Sequence, residues 1–112
     1  MKPLDSNSSL DDVIAFIAEK QPFTAERYPA LRVKGMPRRD KDRFAISHSI
    51  LHMNKSIGEL AREVEHADHG LGMDYAVLRI ATMKMVANSL RLAEALGMNQ
   101  TDVAIHMPLV MK

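Results

Sequence analysis

The order of apolar and polar residues along this chain of 112 residues predicts helices. Between residues 44 and 69, apolar side chains recur every three or four positions, which is the period of an α-helix. They form one stripe, made of Ile46, Ile50, Met53, Ile57, Leu60, Ala61 and Val64. Such a stripe is typical of a helix that packs one side against a core. We therefore expect a long helix from about Asp42 to His69, with Gly70 just after its end.

A second long helix is predicted from Asp74, its N-cap, to Leu96, with Gly97 as its stop. Its residues are apolar on almost every side, so we expect it to be the most buried element of the fold. The link at residues 70–73 is short, and a short link places two helices antiparallel to each other.

A short helix is expected at each end of this pair. The first follows Ser8 and Ser9 and covers residues 10–20, and the last begins near Thr101 and ends near His106, before Pro108. Residues 21–43 carry three prolines and a glycine, which predicts an irregular connection with one helical turn at residues 24–28. This connection is basic, with Arg27, Arg32, Lys34, Arg38, Arg39, Lys41 and Arg43.

These elements make one all-α domain over residues 1–112, with a helical hairpin at residues 44–97 as its core. Hydrophobic residues make up 46% of the chain and aromatic residues only 4%, a balance that favours aliphatic helix packing. The helix at residues 74–96 is too apolar to be covered by one neighbour, so we expect a homodimer through its surface. No signal or membrane-spanning segment is visible, and there is no cysteine, so the expected location is the cytoplasm.

Six polar side chains share one side of the first long helix: His48, His52, Lys55, Glu59, Glu63 and His66. The second long helix carries a matching file of Lys84, Asn88 and Arg91 at i, i+4 and i+7. If the two files face each other, they form either a structural polar network or a pocket for a phosphate or carboxylate. In the second case His48, His52, Lys55, Glu59, Lys84, Asn88 and Arg91 are the ligand-binding residues.

Other kinds of site are possible but less favoured. The spacing of His48, His52, Glu59, Glu63 and His66 would suit a transition metal, but Lys55 is a poor neighbour for a cation. No cofactor is therefore favoured. Nucleic-acid binding is not favoured either, because the net charge is only +1 and few aromatic residues are available for stacking.

Two segments resemble the MazG-like all-α nucleoside triphosphate pyrophosphohydrolases over about residues 44–103. Residues 57–61, IGELA, are similar to that family's E-E-x-G-E-L-A segment, and residues 90–98, LRLAEALGM, are similar to its L-x-x-L-A-x-x-L-G-I segment. The resemblance implies a helical bundle, assembled as a dimer or a dimer of dimers, that cleaves nucleotides between the α- and β-phosphates with Mg²⁺.

The acidic residues that hold Mg²⁺ in that family are largely replaced in this chain. Glu59 matches, but Lys55 and Ser56 stand at the paired-glutamate positions, and Ala81 and Lys84 stand near the acidic positions of the next helix. The leading hypothesis is a divergent, non-catalytic MazG-like protein that binds a small anionic or nucleotide-like ligand. The alternatives are a metal-dependent pyrophosphohydrolase or metal-binding bundle, and a helical dimerisation protein without a small-molecule site.

Overall fold

The computed structural model describes residues 3–111, and within them the protein is all-helical. Four α-helices follow one another: α1 (Leu10–Lys20), α2 (Arg38–Asp68), α3 (Tyr75–Ala95) and α4 (Gln100–Val110). A single 3₁₀ turn at Pro29–Leu31 interrupts the connection between α1 and α2. The predicted fold class is thus confirmed. Within the described part of the chain, no helix combines the length and apolar character needed to cross a lipid bilayer.

Local sequence signals account for most helix ends. Ser9 and Asp12 form a capping box at the start of α1, and the Asp74 carboxylate accepts hydrogen bonds from the first backbone N–H groups of α3. Gly70 and Gly97 follow α2 and α3 with φ of 79° and 73°, a left-handed conformation that glycine adopts without strain.

Two helix ends differ from the prediction. Helix α2 begins at Arg38, because Pro37 takes the N-cap position and its carbonyl accepts hydrogen bonds from Asp40 and Lys41. The irregular connection therefore covers only residues 21–37. Helix α4 begins after Asn99 and continues through Pro108 to Val110. Pro108 lies in the last turn, where it removes one backbone hydrogen bond, but the Met111 N–H still donates to the Met107 carbonyl.

Helices α2 and α3 form the expected antiparallel hairpin, but the fully buried residues of α2 are not those of the predicted apolar stripe. The buried line of α2 consists of Ala45, Ser49, Ser56 and Glu63, opposite Ala81 and Asn88 of α3. Small side chains allow two helices to approach closely, and Ser49 satisfies its hydroxyl by donating to the Ala45 carbonyl. We call these residues the contact line.

The apolar stripe of α2 lies beside the contact line and is half exposed. Ile50, Ile57 and Val64 remain 45%, 48% and 47% exposed. Helix α3 is also less buried than expected, because its outward residues Ile80 and Met83 have no neighbour within residues 3–111 that covers them. It packs against α1 as well as α2.

Candidate functional site

A cavity of about 390 Å³ lies where α2, α3 and the connection after α1 meet. Helix α2 contributes four side chains to its wall, α3 three and the connection three. These are His52, Lys55, Ser56 and Glu59, then Lys84, Asn88 and Arg91, and finally Gln21, Arg27 and Tyr28. The cavity therefore brings together His52, Lys55 and Glu59 of the six-residue α2 file and all three residues of the α3 file, whereas His48, Glu63 and His66 do not line it.

The wall of this cavity is strongly cationic. Arg27, Lys55, Lys84 and Arg91 all line it, and within residues 3–111 the one carboxylate in the wall is Glu59. Lys84 Nζ lies 3.4 Å from Glu59 Oε1, so this carboxylate is already engaged by one of the four cations. Three cationic side chains remain without a carboxylate in the wall, which favours an anion in the cavity.

Arg91 is the most constrained of these cations. It is only 4% exposed, its Nη2 donates to the Gln21 carbonyl at 3.0 Å and to the Tyr28 hydroxyl at 3.4 Å, and its guanidinium lies 3.9 Å from the Phe23 ring centroid. Its Nε is buried and has no hydrogen-bond partner among residues 3–111. A buried cation with a free donor and no carboxylate partner is energetically unfavourable unless something else binds it.

Asn88 presents a second unsatisfied atom. Its Nδ2 donates to the Lys84 carbonyl at 2.8 Å, which fixes the orientation of the amide, since only the NH₂ group can donate to a carbonyl. The opposite atom, Oδ1, is buried and lacks a partner within the described residues. Asn88 also lines the cavity, so an unsatisfied acceptor lies within its wall.

His48 and His52 form a hydrogen-bonded pair, with 2.9 Å between their Nε2 atoms. His52 lines the cavity. His48 lies behind it, stacked on Phe44 at 5.2 Å and edge-on to Tyr28 at 4.6 Å. It does not reach the cavity wall, in contrast to its predicted role as a ligand-binding residue.

The pKa values of both imidazoles are lowered. For His48 the causes, in order, are burial, His52, Arg91 and Lys55. For His52 they are burial, Lys55 and Arg91. The hydrogen bond needs one ring to donate and the other to accept, so it excludes protonation of both rings, while burial and the nearby cations favour the neutral pair.

The five residues of the alternative metal site do not come together. Glu63 turns away from the imidazole pair: its Oε1 accepts the Asp74 N–H at 2.9 Å and its Oε2 lies 3.6 Å from His66 Nδ1. Between Pro3 and Met111, no three His, Asp or Glu side chains are grouped as metal ligands would be. Mg²⁺ does not fit the cavity either, because it requires oxygen ligands and Glu59 is surrounded by ammonium and guanidinium groups.

Glu63 instead stabilises the turn between α2 and α3, where its charge also lies at the N-terminus of α3. Glu63→Ala is expected to lower the free energy of unfolding by about 1–2 kcal/mol, because it leaves the Asp74 N–H without its acceptor. Urea unfolding measures this change. The matched control is Glu65→Ala on the same helix turn, which removes an exposed carboxylate and should change stability by less than about 0.5 kcal/mol. Equal losses in both variants would contradict a specific role for Glu63.

Four wall residues were not among the predicted ligand-binding residues: Ser56 of α2, and Gln21, Arg27 and Tyr28 of the connection. The basic composition of the connection was the only signal, and it does not indicate which arginine turns inward. Comparisons of the chain with protein-family models, with curated proteins and with solved structures find no match.

Proposed function

We propose that this chain binds a small phosphorylated anion in the cavity between α2, α3 and residues 21–28, and that it does not hydrolyse that ligand. The observation that carries the proposal is the pair of buried, unsatisfied polar atoms at one cationic cavity, Arg91 Nε and Asn88 Oδ1. Native proteins leave few such atoms without partners. Neither atom is exposed to solvent in the ligand-free chain, so a bound ligand would satisfy both once the two side chains turn toward it.

The two atoms together narrow the class of ligand. Arg91 Nε is a donor and suits a phosphate oxygen, whereas Asn88 Oδ1 is an acceptor and needs a donor from the ligand. A phosphate ester that also carries a hydroxyl group, such as a nucleoside monophosphate or a sugar phosphate, supplies both. Lys55 and Arg27 would complete the charge neutralisation, while Lys84 stays paired with Glu59.

The same charges support a non-catalytic role. Phosphoryl cleavage of the MazG-like kind depends on Mg²⁺ held by carboxylates, and this wall has Lys55 and Lys84 at two of the corresponding places. The proposal is therefore a divergent MazG-like helical protein in which lysine and arginine replace the charge of the metal. It rests on the resemblance of residues 57–61 and 90–98 and on the composition of the wall.

Calorimetry with a nucleoside monophosphate, with and without Mg²⁺, tests this proposal. We expect binding by the wild type that does not require Mg²⁺, and about tenfold weaker binding by Lys55→Ala, because one charge-assisted hydrogen bond is lost. Lys34→Ala is the matched control, since Lys34 is exposed and does not line the cavity.

Each other outcome has a definite meaning. No binding by the wild type, or equal affinity in Lys55→Ala, would refute the anion site. Binding that appears only with Mg²⁺, or release of pyrophosphate from a nucleoside triphosphate, would instead favour the metal-dependent pyrophosphohydrolase.

A further inference from the structure

The single chain exposes more surface than a protein of its size normally does. Its accessible surface is 8237 Å², against about 6,200 Å² expected for a folded monomer of 12.5 kDa. The radius of gyration, 16.7 Å, likewise exceeds the value of about 13 Å for a compact domain. The excess surface is about 2,000 Å² per chain, which lies within the range that obligate dimers bury on each partner.

The core inside one chain is correspondingly small. Within residues 3–111, the buried apolar side chains are Ile14, Leu31, Ala45, Ala81 and Ala93. Three of these five are alanines. Large apolar side chains are instead exposed along α2, α3 and α4, so much of the hydrophobic stabilisation available to this sequence is not used within one copy.

The half-exposed stripe of α2 has the pattern of a helix-pairing surface. Its residues recur with alternating spacings of four and three, the a and d positions of a coiled coil, and we call them the α2 seam: Ile46, Ile50, Met53, Ile57, Leu60, Val64 and Ala67. The neighbouring Asn54, Gly58 and Ala61 are small, and a Cβ added at Gly58 would meet no atom within 4 Å. Within residues 3–111, the space beside the seam at Gly58 is therefore open.

We propose that a second copy of this chain covers the α2 seam, so that two α2–α3 hairpins form an antiparallel four-helix bundle. The charge along α2 supports the antiparallel direction. The first turns carry Arg38, Arg39, Lys41 and Arg43 against Asp40 and Asp42, so they are net basic. The last turns carry Glu59, Glu63, Glu65 and Asp68 against Arg62, so they are net acidic. Antiparallel pairing brings the basic start of one α2 toward the acidic end of the other, and parallel pairing would place like charges together.

Ile57 lies at the middle of the seam and therefore nearest the two-fold axis, where Ile50 of one copy faces Val64 of the other. The outward side of α3 is the competing surface, but Arg79 lies among its apolar residues, whereas the seam has no charge between Ile46 and Val64 on its own side. The cavity opens on the other side of the contact line, so this assembly leaves it accessible.

Sedimentation velocity on the full chain tests the assembly. We expect a dimer for the wild type, a monomer for Ile57→Glu, and an unchanged dimer for the matched control Ile80→Glu, which changes an exposed isoleucine of α3. A monomeric wild type would overturn the proposal. A dimer that survives Ile57→Glu and dissociates in Ile80→Glu would place the interface on α3 and overturn it equally.

Cross-linking keeps the proposal testable if Ile57→Glu fails to fold. The chain has no cysteine, so single-cysteine variants can be compared without interference. Under mild oxidation, Ile57→Cys should form a disulfide-linked dimer, whereas Ile50→Cys and Ile80→Cys should not. Cross-linking of Ile50→Cys as efficient as that of Ile57→Cys would indicate parallel helices and contradict the antiparallel bundle.

Discussion

Replacing Arg91 by methionine is expected to weaken phosphate binding by about 100-fold and to change the free energy of unfolding by less than about 1 kcal/mol. The loss of affinity follows from the removal of a buried positive charge and of its unpaired Nε donor. In the ligand-free protein this guanidinium is buried without a carboxylate partner within residues 3–111, so its desolvation lowers the stability of the fold. Methionine packs against Phe23 without a charge to desolvate, so we expect the variant to retain its stability.

The comparison of binding with stability separates two roles for Arg91. If its hydrogen bonds to Gln21 and Tyr28 serve only the fold, Arg91→Met should lose several kcal/mol in urea unfolding. A phosphate affinity that is unchanged in the folded variant would also refute the ligand role. Arg79→Met is the matched control, because Arg79 is an exposed cation of the same helix and does not line the cavity.

Acidification is expected to destabilise the ligand-free protein and to strengthen its binding of sulfate. The pKa values of His48 and His52 are lower in the folded state than the ordinary value of 6.5, so the unfolded chain takes up protons first as the pH falls. Stability is therefore fully present above about pH 6.5 and declines as the pH falls toward the lowered pKa values. A bound dianion offsets the field of Arg91 and Lys55, raises both pKa values and is bound more tightly by the protonated pair.

Urea unfolding between about pH 5 and 8, with and without sulfate, measures both effects. Sulfate is the suitable probe because it stays a dianion over this range, whereas phosphate itself titrates. In His52→Gln the pH dependence should flatten. His106→Gln is the control, since His106 is exposed on α4 and does not line the cavity. A profile of the same steepness in His52→Gln and in the wild type would exclude the imidazole pair as its cause.

The sequence predicted much of the fold because the signals involved are local. The limits of α1, the capping role of Asp74 and the glycines after α2 and α3 depend on residues within a few positions of one another. The polar file on each long helix was also predicted, since helical spacing determines which side chains share one side of a helix, but whether the two files face each other was left open.

The rest depended on contacts between distant segments. Periodicity shows that Ile50 and Ile57 share a side of α2, but it does not show that the small residues Ala45 and Ser56 meet α3 instead. The hydrogen bond from Arg91 to Gln21 joins residues 70 positions apart. No local pattern predicts such a contact. The sequence therefore did not show that the connection between α1 and α2 forms part of the cavity wall.

The contact line has a consequence for which ligands can enter. One wall of the cavity stands on α2 and the opposite wall on α3, so the distance between the two helix axes determines how wide the opening is. That distance depends on the size of the side chains that separate the helices, chiefly Ser49, Ser56 and Ala81. Adding or removing one methyl or hydroxyl group at any of these three positions would therefore change the width of the ligand that can enter the cavity. The changed atoms need not contact that ligand.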